Sequence, residues 1–114
     1  MDIVLRSRRV RHVKIDVLEI VPDAVGVGLI GLILTVAAQL AFGSSVFAVD
    51  VEDPVSDPMR RRCAFASREA AESAADELQS LAEVCHEEGI LVQIDWPREL
   101  QHIADRAGPG DPPP

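Results

Sequence analysis

The chain has 114 residues, which is enough for one small domain, or for a membrane segment plus a smaller domain. Its formal net charge of -8 argues against nucleic acid as a partner, because binding to phosphates needs a positively charged surface. Two cysteines are too few for a disulfide scaffold. The function therefore has to be sought in the pattern of apolar and charged residues.

Residues 1–23 form a basic N-terminal segment. Its basic residues are Arg6, Arg8, Arg9, Arg11 and Lys14. Within it, Val13, Ile15 and Val17 alternate with charged residues, and this period of two predicts a half-buried strand. A membrane-proximal helix is the alternative for the same residues. A short strand is also expected over residues 2–5.

Residues 24–44 are the most apolar part of the chain and predict a transmembrane helix. No Asp, Glu, Lys, Arg or His occurs from Ala24 to Val49. As a helix, residues 24–42 would be about 28 Å long, which matches a bilayer core of roughly 30 Å. Such a helix has no polar face, so either lipid or a closed protein core must surround it. A chain of this size offers little protein for that purpose, and this favours lipid.

The membrane interpretation also predicts an orientation and partners. Basic residues ahead of the apolar segment favour a single-pass protein with a cytoplasmic N-terminus. They would also attract anionic membrane lipid. The small residues Gly26, Gly28 and Gly31 would permit self-association, because they let helices approach closely in a bilayer. A protein partner at the membrane is expected as well.

Residues 45–107 predict a small α+β domain with the order strand, strand, helix, strand. The strands are expected at residues 46–51, 59–66 and 90–96, and a short helix at residues 98–107. Two prolines, Pro54 and Pro58, place a loop between the first two strands. Residues 108–114 are rich in proline and glycine and are expected to be disordered or polyproline-like.

The main helix of this domain is expected at residues 68–88. Ser67 is a typical N-cap residue, and Gly89 is a typical C-terminal stop. An apolar stripe recurs at three- and four-residue spacing and is expected to lie in the core. Its members are Ala71, Ala74, Leu78, Leu81 and Cys85.

The sequence predicts neither a catalytic group nor a metal site. Cys63 and Cys85 are expected to be buried free thiols, because the packing of strand and helix would hold them too far apart for a disulfide. Glu83 and His86 have the Glu-x-x-His spacing of helical di-metal sites, but the chain lacks the further carboxylates that such sites need. Two other histidines are expected to be isolated and exposed: His12 and His102.

A second interpretation rests on the glycine pattern at residues 26–31. The sequence Gly-Val-Gly-Leu-Ile-Gly matches GxGxxG, and Asp50 follows Gly31 by 19 residues at the end of a predicted strand. In dinucleotide-binding units such glycines admit the pyrophosphate, and the acidic residue binds the ribose hydroxyls. The stretch resembles the cofactor-binding stretch of zinc-type medium-chain alcohol dehydrogenases. The resemblance implies NAD binding through Gly26, Gly28, Gly31 and Asp50.

Two classes of function follow from these observations. The main expectation is a small single-pass membrane protein with an α+β domain and a non-enzymatic interaction or regulatory role. The alternative is a soluble α/β protein with a partial dinucleotide-binding unit, in which the apolar helix packs between the sheet and a partner subunit. A small acidic inhibitor of the immunity type also suits the charge, but no motif indicates it.

Overall fold

Four antiparallel strands in the order β1-β2-β3-β4 form a sheet in the described part of this protein. The computed structural model describes residues 2–21 and 46–107. The strands are β1 (Asp2–Val10), β2 (Val13–Ile20), β3 (Val46–Glu52) and β4 (Arg60–Phe65). The helices are α1 (Arg68–Glu87) and α2 (Trp96–Ala107), with one 3-10 turn at Leu91–Gln93 between them. β1 and β4 are therefore the two edge strands.

The alternation in the N-terminal segment does produce a strand, as predicted. Val13, Ile15 and Val17 are buried on one face of β2, while Lys14 and Asp16 point to the other face. β1 is longer than the short strand predicted for residues 2–5. It pairs along the full length of β2, with an irregularity between Val4 and Arg6.

Both helices pack against the same face of the sheet, which we call the inner face. The core between them is closed by Trp96, whose indole N–H donates a hydrogen bond of 2.9 Å to the Leu91 carbonyl. Apolar side chains of all four strands, alanines of α1 and the apolar face of α2 complete this core. The opposite face, which we call the outer face, has no described helix on it.

The main helix is confirmed, with one error in its buried stripe. Ser67 caps α1, and its hydroxyl accepts a hydrogen bond of 3.1 Å from the Ala70 N–H. Gly89 follows α1 with φ of +75°, a conformation that favours glycine. Leu81 is 41% exposed and not in the core. Ala82, its neighbour in the sequence, is fully buried in the core.

The predicted strand at residues 90–96 is wrong. Its backbone hydrogen bonds stay local, since Ile90 donates to the Cys85 carbonyl at 2.9 Å and Gln93 donates to the Ile90 carbonyl at 2.9 Å. Trp96 already begins α2, and Pro97 lies in the first turn of that helix, where no N–H donor is needed. The apolar alternation that suggested a strand comes from a turn that buries Leu91 and Trp96.

The single-pass membrane fold is also wrong, because β2 and β3 are neighbours. Ile20 pairs with Val46, so the two ends of the intervening segment lie only about 5 Å apart. A single crossing would separate them by roughly the 30 Å of a bilayer core. Within residues 2–21 and 46–107, no helix is long and apolar enough to cross a membrane. The helix predicted at residues 24–44 lies outside the described residues, as do the domain boundaries and the 108–114 tail.

The alternative fold, a partial dinucleotide-binding unit, fails for a related reason. In that unit the strands before and after the glycine-rich turn run parallel. β2 and β3 occupy those places in this chain, and they pair antiparallel. The described residues form a small α+β domain with one antiparallel sheet and two helices.

The N-cap of α1 gives a first testable prediction. Ser67→Ala should lower the free energy of unfolding by about 1 kcal/mol, because the Ala70 N–H loses its acceptor. Urea denaturation of both proteins measures the difference. The matched control is Ser80→Ala, which removes an exposed hydroxyl from the interior of the same helix and should leave stability within about 0.5 kcal/mol of the original value. Equal effects at both positions would contradict the capping role.

Candidate functional site

Three connections meet at one end of the sheet, which we call the loop end. They are the β1–β2 turn, the β3–β4 loop and the link between α1 and α2. Two cavities of about 260 and 240 Å³ open there, and Val92 lines both of them. The first is lined by Arg11, His12, His86, Gly89, Leu91 and Val92. The second is lined by Val55, Ser56, Asp57, Val92, Gln93, Ile94 and Asp95.

Asp53 organises two of these connections from a fully buried position. Its carboxylate accepts hydrogen bonds from the Val55 N–H at 3.2 Å and from the Ser56 hydroxyl at 2.8 Å. The same carboxylate lies 3.2 Å from His12 Nε2, on the β1–β2 turn. Its backbone N–H donates to the Met59 carbonyl at 2.7 Å and so closes the loop. Both carboxylate oxygens therefore have protein partners, and Asp53 places the loop beside the turn.

Arg11 connects the β1–β2 turn to the end of α1. Its φ of 56° lies in the left-handed region, which costs a non-glycine residue about 1 kcal/mol. Its Nε donates a hydrogen bond of 3.2 Å to Nε2 of His86 in the last turn of α1. Among the described residues, the other guanidinium nitrogens of Arg11 have no hydrogen-bond or ion-pair partner. Arg11 therefore presents a cation at the mouth of the first cavity.

Two valines are unusually exposed at the loop end. Val55 and Val92 are each 62% exposed, more than any other large apolar side chain of the described residues. Both line the second cavity, although they come from different connections. Met59, at the end of the β3–β4 loop, is also exposed. Apolar side chains gathered in this way mark an interaction surface more often than single exposed ones do.

Charges of opposite sign lie on the two sides of Val92. Arg11 lines the first cavity together with two histidines, while Asp57 and Asp95 line the second. One carboxylate of the second cavity has a structural role, because Asp95 Oδ1 accepts a hydrogen bond of 3.2 Å from the Arg98 N–H at the start of α2. The loop end thus combines an apolar centre with a basic side and an acidic side.

The structure places Asp50, the predicted ribose ligand, on the outer face of β3. Its buried carboxylate accepts hydrogen bonds of 3.0 and 3.1 Å from the Arg60 Nε, and the Arg62 Nη2 lies 3.4 Å away. Burial raises the pKa of this carboxyl, but the hydrogen bonds and charges of Arg60 and Arg62 outweigh burial, so the pKa lies below its ordinary value. Asp50 is thus an ionised partner of two arginines.

The three glycines of the NAD interpretation, Gly26, Gly28 and Gly31, lie outside the described residues. NAD binding stays a prediction.

The structure also describes both cysteines and His12. Cys63 and Cys85 are buried free thiols, as predicted, and burial raises the pKa of both. Within the described residues, no group of three or more His, Cys, Asp or Glu side chains is arranged to hold a metal ion. His12 was predicted to be isolated and exposed, and this is wrong because it lies half-buried beside Asp53.

Sequence reasoning missed the loop end. Asp53 precedes a proline in a turn-rich stretch, and such an aspartate often bonds to the backbone two residues on. That local signal was available, but nothing in the sequence indicates that His12 and His86 come from distant positions to the same cavity. Comparison with protein-family models, with curated proteins and with solved structures gave no match to this chain.

The ion pairs of Asp50 with Arg60 and Arg62 predict how the stability of the protein depends on pH. Because the pKa of Asp50 is depressed in the folded state, its ion pairs stabilise the protein above the unfolded-state pKa of about 3.9, and this contribution is lost as the pH falls through the folded-state pKa. Asp50→Asn should be less stable than the original protein by about 2 kcal/mol at neutral pH. The difference should shrink below about pH 4.

Urea denaturation at neutral pH and at about pH 3 measures this change. Glu87→Gln, which alters an exposed carboxylate at the end of α1, is the control and should show a small difference at both pH values. A difference for Asp50→Asn that persists undiminished at low pH would contradict the ion-pair interpretation.

Proposed function

We propose that this chain is a non-enzymatic protein-binding domain and that its partner docks on the loop end. The observation that carries the proposal is the pair Val55 and Val92, both highly exposed and both lining one cavity. Burying two such valines contributes about 2 kcal/mol. This suits a reversible contact in which polar groups supply the rest of the binding free energy.

The charges around these valines define the chemistry of the partner. A partner segment would place an apolar side chain over Val92 and Val55. Its carboxylate would face Arg11 on the basic side, and its lysine or arginine would face Asp57 and Asp95 on the acidic side. Such charge complementarity fixes the direction in which the segment lies more than it adds affinity.

The contacts that fix the loops beneath the site support a binding role. Asp53 holds the β3–β4 loop together by its hydrogen bonds to Val55 and Ser56, and its carboxylate lies beside His12 of the β1–β2 turn. Arg11 connects that turn to α1. Loops that a rigid scaffold positions in this way commonly carry binding residues. A preformed surface also loses less conformational entropy when a partner binds.

Selection from a random peptide library displayed on phage tests the proposal. We expect peptides in which an apolar residue lies between an acidic and a basic residue to be enriched on the immobilised protein. Val92→Asp should weaken the selected peptides by at least about tenfold, since it places a charge under the apolar side chain. Arg11→Gln should weaken them less and remove the preference for the acidic residue.

The matched control is Leu81→Asp, which changes an exposed apolar residue of α1 to the same charged residue and should leave binding unchanged. Both Val92 and Leu81 are already exposed, so neither aspartate has to be buried. Peptides that bind the Val92→Asp protein as tightly as the original protein would exclude the loop end as the docking site. A library that yields no binding peptide would also count against the proposal.

A further inference from the structure

The hydrogen bond between Arg11 and His86 fixes the protonation state of an imidazole at the loop end. Arg11 Nε donates to His86 Nε2 at 3.2 Å. A guanidinium has N–H donors only and keeps its charge, so the ring nitrogen that faces it must be the acceptor. His86 is therefore neutral while this hydrogen bond exists. Protonation of the ring would turn Nε2 into a donor and place two positive charges side by side.

The backbones of both residues are fixed, so the two side chains cannot move far apart. Arg11 and His12 form the turn that joins the paired ends of β1 and β2. His86 lies in the last turn of α1 and follows Cys85, which is buried in the core. A protonated His86 would therefore stay near Arg11, and both cations would lie at the first cavity.

The other histidine of the first cavity, His12, has a carboxylate beside it. Its Nε2 lies 3.2 Å from Asp53 Oδ1. A positive charge on His12 would be balanced by this carboxylate. The described partner of the His86 ring is instead Arg11, which is a cation. The two histidines therefore differ in what protonation does to the charge of the cavity.

The acidic residues near His86 lie on its own helix. Glu83 is three positions earlier on α1, and its carboxylate accepts a hydrogen bond of 2.9 Å from Gln79. Glu87 and Glu88 follow at the end of the helix and are exposed. Their charges favour protonation of His86 only weakly, because water screens exposed charges.

The elements packed against α1 add few further charges at this end. The link between α1 and α2 lines the first cavity with uncharged residues, namely Gly89, Leu91 and Val92. β1 directs Arg6 and Arg8 at α1, but both lie beside Asp76, nearly three helical turns before His86. Arg11 is therefore the charged group that decides the state of the His86 ring.

We infer that the partner's carboxylate and a proton bind at the loop end together, and that His86 takes up the proton from solvent. The carboxylate replaces the neutral imidazole as the acceptor for Arg11, and the protonated ring then adds a second positive charge beside the anion. Because binding and protonation favour each other, the affinity rises as the pH falls through the range in which histidine side chains titrate. This inference rests on the proposed docking role of the loop end.

The affinity of a selected peptide at two pH values tests the inference. The peptide contains no histidine, and its carboxylate is ionised both at about pH 7.5 and at about pH 5.5. We expect binding about fivefold tighter at the lower pH, which is the effect of one added charge at about 4 Å in water. The same peptide with asparagine in place of its acidic residue should bind equally at both pH values.

Substitution of His86 assigns the proton. His86→Gln keeps an acceptor for Arg11 but cannot take up a proton, so the affinity of this protein should not depend on pH. The matched control is His102→Gln, which changes an exposed histidine of α2 that lines a different cavity and should keep the dependence on pH. A dependence that persists in His86→Gln, or that is absent from the original protein, would overturn the inference.

A second measurement uses sulfate, which stays fully ionised over this range, and needs no peptide. NMR signals of the histidine rings are followed from about pH 8 to about pH 5 in sodium sulfate and in sodium chloride of equal ionic strength. Sulfate should raise the midpoint of His86 protonation by about 0.5 pH unit and leave that of His102 unchanged. An equal shift at both histidines would indicate an adventitious ion only and would contradict the inference.

The two measurements separate this inference from the docking proposal. If the library yields no peptide, the docking proposal fails, and sulfate alone decides whether anion binding at the first cavity takes up a proton. If peptides bind at the loop end with an affinity that does not depend on pH, the docking proposal stands and the inference fails.

Discussion

The pairing of β2 with β3 is the constraint on which the rest of the structure depends. These two strands are the centre of the sheet, and each edge strand is attached to one of them. Their register aligns Val17 with Val49 on the inner face and Leu18 with Ala48 on the outer face. A shift by one residue would exchange the two faces and expose the core side chains to water. The pairing also brings together two parts of the chain that the apolar segment separates in the sequence.

The loop end depends on the same pairing. His12 follows β1 and precedes β2, while Asp53 follows β3, so their contact exists only because β2 and β3 lie side by side with a fixed register. His12 belongs to the β1–β2 hairpin and Asp53 to the β3–β4 hairpin. The pair thus links the two hairpins of the sheet at the end that carries the exposed valines.

Elements with local signals were predictable from the sequence, and elements with distant partners were not. The Ser67 cap and the apolar spacing of α1 are local, and so is the alternation in β2. Residues 90–96 also alternate, but Trp96 buries its ring by bonding to the Leu91 carbonyl, and this needs the core that the rest of the chain provides. The length and hydropathy of residues 24–42 predicted a membrane span, because those two properties do not report that Ile20 and Val46 are paired. The cavities of the loop end were unpredictable for the same reason.

The two edge strands share a property that bears on how the protein behaves at high concentration. An open antiparallel sheet presents unpaired backbone groups along its edges, and these can recruit strands from other molecules into fibrils. β1 carries Arg6, Arg8 and Arg9, and β4 consists of three consecutive arginines followed by Cys63, Ala64 and Phe65. Several of these arginines are ion-paired, Arg6 and Arg8 with Asp76 and Arg60 with Asp50. Their long side chains, held in place beside the edges, obstruct the approach of another strand by their bulk. In an otherwise acidic chain, the arginines are thus concentrated where they oppose amyloid-like growth.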